Sequence, residues 1–241
     1  FMYIIKKDLF GNPLFLKRIL IVIIGLLTHN KFYRKKKINI NGTENIPKNI
    51  KKNVLFISNH QTYFLDAIGI IHVLNSTSNG NKDNIDNLSY LLKPKLNTYY
   101  LAAKETMKSG LLPKILSYTG AVLVERTWRK NGEKINRPIN NHDINNINKA
   151  LKHGWVITFP QGTTDSKGAV RKGTSHIIKK NQPIVIPIRI KNFNKRFEKK
   201  SLKVKNSSKS ISICFKKPLK INYEVDTIDD ITIKIKKSLE I

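Results

Sequence analysis

The sequence predicts an α/β fold: a mixed, largely parallel sheet flanked by helices, with an N-terminal membrane-associating helical segment. From about residue 54 onward, short apolar runs of strand type alternate with stretches of helical periodicity. Strands that are separated by helices pair mostly in parallel, and the helices then cover the faces of the sheet. The chain has 241 residues, which is enough for one large domain or two small ones, with a sizeable core.

The N-terminal segment contains a short apolar run with basic flanks. Residues 19–27 (ILIVIIGLL) carry no charge, but this run is about half the ~20 residues that a membrane span needs. No small-residue cleavage site follows it; Lys31 and residues 34–37 (RKKK) follow instead, which argues against a secretory signal. The pattern favours a helix inserted into one leaflet with its basic flank on anionic headgroups. A buried helix at the edge of the domain is the alternative.

The remaining elements are predicted in chain order from the apolar patterns. Strands are expected at residues 54–58, 99–103, 121–124, 155–159, 184–190 and 211–215. Helices are expected at residues 67–74, 111–118, 144–152, 174–180 and 228–239. Asp66 is placed as the N-cap of the first of these helices, and Gly154 ends the third. Polar loops are expected at residues 75–87 and 129–146, and a basic, mostly polar loop or ragged hairpin is expected at residues 191–209. Pro187 removes a donor from its strand, which indicates a sheet edge or a pocket wall.

Charge and cysteine content narrow the class of protein. There are 45 Lys and Arg against 16 Asp and Glu, a formal charge of +29, which predicts an anionic partner such as nucleic acid, an acidic lipid surface or a phosphorylated substrate. With 40% hydrophobic and 25% charged residues, the chain is neither a disordered tail nor a multi-span membrane protein. Cys214 is the only cysteine, so an internal disulfide and a cysteine-based zinc cluster are excluded.

A histidine and an aspartate lie where a strand gives way to a helix. His60 follows the strand at 54–58, on the edge where α/β folds bind ligands. Asp66, at the start of the next helix, can accept the imidazole N–H, fix its tautomer and stabilise the imidazolium. The pair predicts a catalytic dyad; a capping aspartate and an unrelated surface histidine are the alternative.

Three further segments occupy comparable positions. Glu125 and Arg126 end the strand at 121–124, and an arginine there can bind phosphate in a bidentate fork. Residues 159–164 (FPQGTT) follow another strand, and their glycine and two hydroxyls suit a tight turn whose backbone N–H groups face an anion. The apolar strand that contains Pro187 is the last of these segments.

These four blocks, in this order over roughly residues 50–220, resemble the glycerolipid acyltransferase family, specifically the 1-acyl-sn-glycerol-3-phosphate acyltransferases. The family pattern is a His and Asp, a Gly…(Glu/Asp)-Arg strand, Phe-Pro-Glu-Gly-Thr-Arg, and a Val-Pro strand. Five residues separate His60 from Asp66, one more than usual, so pairing requires the extra residue to lie in the turn before the helix. Gln161 replaces the usual Glu and Thr164 the usual Arg; Lys172 matches a basic position downstream and could compensate.

The resemblance implies transfer of a fatty acyl group from acyl-ACP or acyl-CoA to the free hydroxyl of 1-acyl-sn-glycerol-3-phosphate, giving phosphatidic acid. It makes His60 the general base and Asp66 its orienting partner. It assigns the oxyanion and phosphate contacts to Glu125, Arg126, Gln161, Gly162, Thr163, Thr164 and Lys172. It implies no metal and no bound cofactor; the acyl carrier protein or CoA thioester is a co-substrate.

The expected organisation is an N-terminal membrane-associating helical segment at residues 1–45 and an acyltransferase catalytic domain at residues 46–241. The expected partners are an anionic membrane surface and a lysophospholipid, with a monotopic location on the cytoplasmic face of the inner membrane and no nucleic acid. Acyl transfer to another lysolipid or to glycerol-3-phosphate stays open. So do a thioester or lipid hydrolase that uses the same pair with water, and a basic nucleic-acid-binding protein, although no signature of the latter is visible. Packing or surface roles are expected for His72, His142, His153, His176, Trp128 and Trp155.

Overall fold

The computed structural model describes residues 6–33, 38–127, 129–130, 133–134, 138 and 140–241. The helices are α1 (Leu14–Tyr33), α2 (Leu65–Ser78), α3 (Lys104–Met107), α4 (Leu111–Ser117), α5 (Asn141–His153), α6 (Lys172–Asn181), α7 (Phe193–Arg196) and α8 (Ile228–Leu239). The strands are β1 (Ile38–Asn41), β2 (Val54–Ser58), β3 (Thr98–Ala103), β4 (Ala121–Val124), β5 (Arg129–Lys130), β6 (Glu133–Lys134), β7 (Trp155–Thr158), β8 (Ile184–Lys191) and β9 (Ile211–Phe215).

Seven of the described strands form one sheet in the order β1-β9-β8-β2-β7-β3-β4. Every neighbouring pair is parallel except β8 and β9, which are antiparallel. The predicted α/β fold with a mixed, largely parallel sheet is therefore confirmed. Because β2, β3, β4 and β7 run in the same direction, the segments that follow them meet at one edge of the sheet.

Helices cover both faces of the sheet. Val54 and Phe56 of β2 point into a core shared with α1, α2 and α4, while Leu55 and Ile57 point into a second core shared with α5, α6 and α8. All four side chains are fully buried. This alternation is the period of two that a strand buried on both faces requires.

The prediction that the proline-containing strand lies at an edge is wrong, because β8 lies between β2 and β9. The carbonyl of Pro187 accepts a hydrogen bond from the N–H of Lys216 (2.8 Å), so the proline nitrogen faces β9 as well. The β8–β9 ladder begins one residue later, at Ile188 opposite Phe215. The missing N–H thus lies one residue outside the β8–β9 ladder, so no hydrogen bond within that ladder is lost.

Helix α1 is longer than the apolar run suggested. It has 20 residues, and one side packs onto the protein through Ile21, Gly25 and Phe32, among others. The other side exposes large apolar side chains: Phe15, Ile19, Ile23, Leu26 and Leu27. Over the described residues, no helix combines the length and apolar character needed to cross a bilayer. The predicted basic flank at 34–37 lies outside the described residues, as does Trp128.

Buried polar contacts fix α1 against α2. His72 of α2 is hydrogen-bonded to the hydroxyl of Thr28 (2.8 Å) and, through its other nitrogen, to the hydroxyl of Tyr90 (2.7 Å). Burial, helped by the nearby His29, lowers the pKa of His72 to about 3. The neutral imidazole therefore serves as a hydrogen-bonding bridge between the two helices, which is the packing role expected for it.

All three predicted loops contain regular structure, and the one at residues 191–209 includes α7. Helix α2 continues to Ser78 because its polar end is satisfied by neighbouring backbone: Asn75 accepts from the N–H of Lys95 (2.9 Å), and Ser76 donates to the carbonyl of Asn84 (2.7 Å). The region expected to be a loop at 129–146 contains the β5–β6 hairpin and the first turns of α5. Short polar segments of this kind lack the periodic apolar residues from which helices and strands are predicted.

Candidate active site

His60 and Asp66 meet at the carboxyl end of β2. The Nδ1 atom of His60 lies 2.8 Å from Oδ2 of Asp66. The aspartate is fully buried, whereas the imidazole keeps 15% of its surface exposed. Since Nδ1 is engaged by the carboxylate, the nitrogen available to an incoming group is Nε2.

Asp66 is held by more than the histidine. Its Oδ2 also accepts from the backbone N–H groups of Gln61 (2.5 Å) and Thr62 (2.9 Å), and the Thr62 hydroxyl donates to Oδ1 (2.7 Å). The sequence predicted Asp66 as the N-cap of this helix, and that prediction is wrong. Asp66 is the second residue of α2, and Phe64 is the N-cap. The extra residue between His60 and Asp66 is accommodated in the turn before the helix, so the carboxylate folds back over that turn.

The imidazole of His60 is also packed against an aromatic ring. Phe159, which follows β7, stacks on it with 4.1 Å between ring centroids and 22° between planes. Because β2 and β7 are neighbouring parallel strands, the residues after them lie side by side. One face of the imidazole and one ring nitrogen are thus both restrained.

A cavity of about 1330 Å³ opens at this edge of the sheet and is bordered by His60. On the α1–α2–α4 side its walls are apolar, formed by Ile24, Ile68, Ile71, Leu91, Leu112 and Leu116. Near the dyad its lining becomes polar, with Thr163, Thr164, Arg126 and Arg171. An apolar cavity with a few polar groups at one end is typical of a site for an amphiphilic ligand.

Two arginines provide positive charge at the polar end. Arg126, after β4, lies beside Glu105 (3.6 Å) and Thr106 (3.4 Å) of α3. Arg171 precedes α6; burial and the charge of the nearby Arg126 lower the pKa of its guanidinium. Lys172 does not join them, because its ammonium is exposed and pairs with Asp229 of α8 (2.7 Å). Arg171 therefore borders the cavity, whereas Lys172, the residue expected from the sequence, does not.

The segment after β7 is a tight turn closed by its own contacts. Gly162 has a positive φ of 63°, and its N–H donates to the carbonyl of Phe159 (2.9 Å). Gln161 is buried and does not border the cavity; its amide donates to the carbonyls of Gly168 (2.8 Å) and Asp165 (3.3 Å). Gln161 thus holds the following loop in place, while Thr163 and Thr164 face the cavity.

Glu125 belongs to a charged cluster beside the arginines. Its carboxylate lies 3.3 Å from the ammonium of Lys104, which also contacts the buried carboxylate of Asp143 (3.2 Å). Burial lowers the pKa of Lys104, but the hydrogen bonds and charges of Asp143 and Glu125 outweigh it and raise that pKa above its ordinary value. Asp143 also accepts from the backbone N–H of Glu125 (2.6 Å). The cluster connects β4 to α3 and α5 and so fixes the strand end that carries Arg126.

No group of three potential metal-ligating side chains occurs within the described part of the chain. His153 is hydrogen-bonded to Tyr99 (3.0 Å), and Trp155 packs edge-on against Phe56, so both have the structural roles expected of them. His142 is an exposed residue of α5, whereas His176 borders the cavity from α6.

The chain is similar to known acyltransferases in sequence and in fold. The sequence matches the Acyltransferase family over residues 37–191, well over half of the chain. No curated protein matches it. Among solved structures, the fold is similar to the crystal structure of the 1-acyl-sn-glycerophosphate (LPA) acyltransferase PlsC from Thermotoga maritima. That match has a TM-score of 0.56 and 16% identity, and it covers 92% of this chain and 76% of the other. The chain therefore belongs to the Acyltransferase family.

Proposed function

We propose that this protein transfers a fatty acyl group from a thioester to the free hydroxyl of 1-acyl-sn-glycerol-3-phosphate, giving phosphatidic acid. The observation that carries the proposal is the position of the His60–Asp66 pair, where the apolar part of the cavity on the α1–α2–α4 side meets the polar part that contains Arg126 and Arg171. The substrate combines those properties: an apolar chain, a hydroxyl and a phosphate. The similar PlsC structure is that of a 1-acyl-sn-glycerophosphate acyltransferase, which supports the same acceptor.

In the proposed mechanism, Nε2 of His60 removes the proton of the acceptor hydroxyl while its oxygen attacks the thioester carbonyl. Asp66 orients the ring through Nδ1 and stabilises the imidazolium that forms. The tetrahedral intermediate then collapses, the C–S bond breaks, and the imidazolium returns its proton to the leaving thiolate. Attack is direct, because within the described residues no serine or cysteine is hydrogen-bonded to His60.

The negative charge on the tetrahedral oxygen requires donors from the turn after β7. The N–H of Gly162 is already bonded to Phe159, so we assign this role to the backbone N–H groups of Thr163 and Thr164, which border the cavity. A donor of this kind commonly contributes ~3 kcal/mol to transition-state stability.

Phosphate recognition is assigned to Arg126 and Arg171. The family pattern places an arginine where this chain has Thr164, and Arg171 supplies a guanidinium to the same cavity from seven residues further along. Mutual repulsion between the two guanidiniums is relieved when a phosphate dianion binds between them. Neither metal nor bound cofactor takes part in this scheme.

We also propose that α1 docks the protein on the cytoplasmic leaflet of a membrane without crossing it. Its exposed side carries Phe15 and Leu27, which are 62% and 64% exposed, and a contiguous apolar stripe lies between them. A helix with one apolar face in solvent is typical of interfacial binding. The inner side of α1 borders the cavity through Ile21, Ile24 and Gly25, so acyl chains could pass from lipid to the dyad along one helix.

The test is transfer from radiolabelled acyl-CoA and acyl carrier protein to a panel of acceptors: lysophosphatidate, other lysolipids and glycerol-3-phosphate. Label in phosphatidate supports the proposal. Label that appears as free fatty acid with every acceptor indicates a hydrolase and contradicts it. Preferential transfer to another lysolipid would retain the reaction and replace the acceptor, and retention on RNA in place of anionic liposomes would favour the nucleic-acid alternative.

A further inference from the structure

The cavity does not end at the dyad but continues onto the opposite face of the sheet. Besides its apolar walls on the α1–α2–α4 side, it is bordered by residues of α5 and α6, which pack against the other core. The two parts join beyond the carboxyl ends of the strands, at His60, Arg126 and Arg171. The reacting atoms therefore lie where two different channels meet.

The second channel, here called the α5–α6 groove, is formed by matching helix faces. On α6, Gly173, His176, Ile177 and Lys180 border the cavity, a spacing of three, four and seven residues that places them on one side of a helix. On α5, Ile147 and Asn148 follow Ile144 by three and four residues, so these three also lie on one side of their helix. From Gly173 to Lys180 the groove follows α6 for about 10 Å.

Hydrogen bonds fix the helices at the far end of the groove. Asn181 of α6 donates to the side chain of Asn148 on α5 (2.9 Å). Lys179 is held by the carbonyls of Tyr223 (2.7 Å) and Asp226 (2.8 Å). The first contact joins the two helices directly, and the second holds the end of α6 against the segment that precedes α8.

The lining of the groove is amphiphilic and positive, unlike the apolar channel. Its floor consists of Ile144, Ile147 and Ile177, and its rim carries His176 and the exposed ammonium of Lys180. A ligand that fits must be narrow, partly apolar, capable of hydrogen bonding, and anionic at the end remote from the dyad. A fatty acyl chain is narrow and apolar, but it meets neither of the last two conditions.

We propose that the α5–α6 groove binds the phosphopantetheine arm of the acyl donor. This inference rests on the proposed function, because it requires a thioester donor. With its sulfur at His60, the arm lays its methylene and dimethyl groups on the isoleucine floor, its amides face the rim, and its phosphate reaches Lys180. The acyl chain extends in the other direction, into the apolar channel. Phosphopantetheine is common to CoA and acyl carrier protein, so the groove recognises the part that both donors share.

The experiment fills the groove without touching the dyad. A side chain at Gly173 meets no atom within 4 Å of its Cβ, so Gly173→Trp projects into open space without straining the backbone. Lys180→Glu reverses the charge at the far end. Lys149 is exposed on α5 away from the cavity, so Lys149→Trp and Lys149→Glu are controls matched for bulk and for charge.

We expect Gly173→Trp to raise the KM for the donor about tenfold or more and Lys180→Glu to raise it severalfold, with the acceptor KM unchanged. Both controls keep the wild-type values. Acyl-CoA and acyl carrier protein are assayed in parallel as donors. The donor with the lower KM in the wild type is the source of the arm. A rise in acceptor KM alone, or an unchanged donor KM in Gly173→Trp, overturns the inference.

A binding measurement separates this inference from the proposed function. Free 4′-phosphopantetheine is titrated calorimetrically into the full chain and into Gly173→Trp. Binding that the tryptophan abolishes supports the groove even if no acyl transfer is detected, a result that would contradict the proposed function only. Acyl transfer without binding of phosphopantetheine leaves the function in place and overturns the groove.

Discussion

The rings of His60 and Phe159 lie nearly parallel, 4.1 Å apart, while Nδ1 of His60 is 2.8 Å from Asp66. The imidazole is thus restrained on one face by an aromatic ring and along one edge by a carboxylate. Rotation about either side-chain bond of the histidine would break one of these contacts. Such restraint keeps Nε2 directed at the cavity before a substrate arrives, which is a form of preorganisation.

The first prediction concerns the dyad. We expect His60→Ala to lower kcat about 10³-fold or more, since general base catalysis contributes ~10²–10⁴-fold. Asp66→Asn should also lower kcat strongly, because an amide does not stabilise the imidazolium. Circular dichroism and liposome binding should stay as in the wild type. Near-normal turnover by the folded His60→Ala protein would end this mechanism.

Phe159 is expected to act as a positioning residue. Phe159→Leu removes the stacked ring but keeps an apolar side chain, and we expect kcat to fall about tenfold with little change in either KM. Phe159→Tyr keeps the ring and should keep most of the activity. If leucine and tyrosine variants behave alike, the stacking has no role in turnover.

The third prediction separates the arginines from the lysine that the sequence suggested. Arg126→Ala and Arg171→Ala should each raise the KM for lysophosphatidate, by up to about a hundredfold, because a charge-assisted hydrogen bond to phosphate contributes ~2–3 kcal/mol. Thr164→Ala should do much less. Lys172→Ala should leave the KM unchanged, since the ammonium pairs with Asp229 outside the cavity. A strong effect of Lys172→Ala and none of Arg171→Ala would reverse the assignment.

The fourth prediction concerns the exposed face of α1. Leu26→Asp or Leu27→Asp should lower partitioning onto anionic liposomes about tenfold, because each removes an apolar side chain from the proposed lipid contact. Ile233 of α8 is 61% exposed, and Ile233→Asp is the matched control. Cosedimentation measures the difference, and equal loss in all three variants would argue against a specific role for α1.

Lys17 gives a prediction about stability. Its ammonium is fully buried, 3.4 Å from the carbonyl of Thr98 and 4.3 Å from the centre of the Tyr99 ring. Burial lowers the pKa of Lys17 from 10.5 to about 8, partly offset by the charge of Asp8. Because the folded pKa is the lower one, the charge destabilises the fold below pH 8, by ~3 kcal/mol, and this penalty disappears between pH 8 and 10.5.

We therefore expect Lys17→Met to be more stable than the wild type at pH 7, with the difference shrinking toward pH 9.5. Urea denaturation at both pH values measures it, and taking the difference between the two proteins cancels the titration of other groups. A difference in unfolding free energy that does not change with pH would contradict the lowered pKa.

Much of the fold could be predicted because its strands are apolar runs. Each strand expected from the sequence is present within one residue of its predicted bounds, and residues 228–239 form a helix as expected. Strand β1 was not predicted, since four alternating residues after a basic stretch give little signal. Whether β8 lies at an edge or inside the sheet depends on its pairing with β9. A local sequence pattern cannot contain that information.

The site was predictable in its residue types and less so in its geometry. The spacing between His60 and Asp66 allowed a contact only if the turn absorbed one residue, and the structure has that turn. Whether Arg171 or Lys172 faces the cavity is decided by Asp229, which α8 brings to the start of α6 from far along the chain. The groove between α5 and α6 depends in the same way on the packing of two helices.

The pairing of β1 with β9 has a consequence for synthesis of the chain. The first strand of the sheet pairs with residues that are synthesised much later, so this part of the sheet forms late and through a contact of very long range. Helix α1, just before β1, leaves the ribosome long before that. An apolar helix whose packing partners have not yet been synthesised is prone to aggregation. Early adsorption of α1 to a lipid surface would keep its apolar face out of water while the rest of the chain is synthesised.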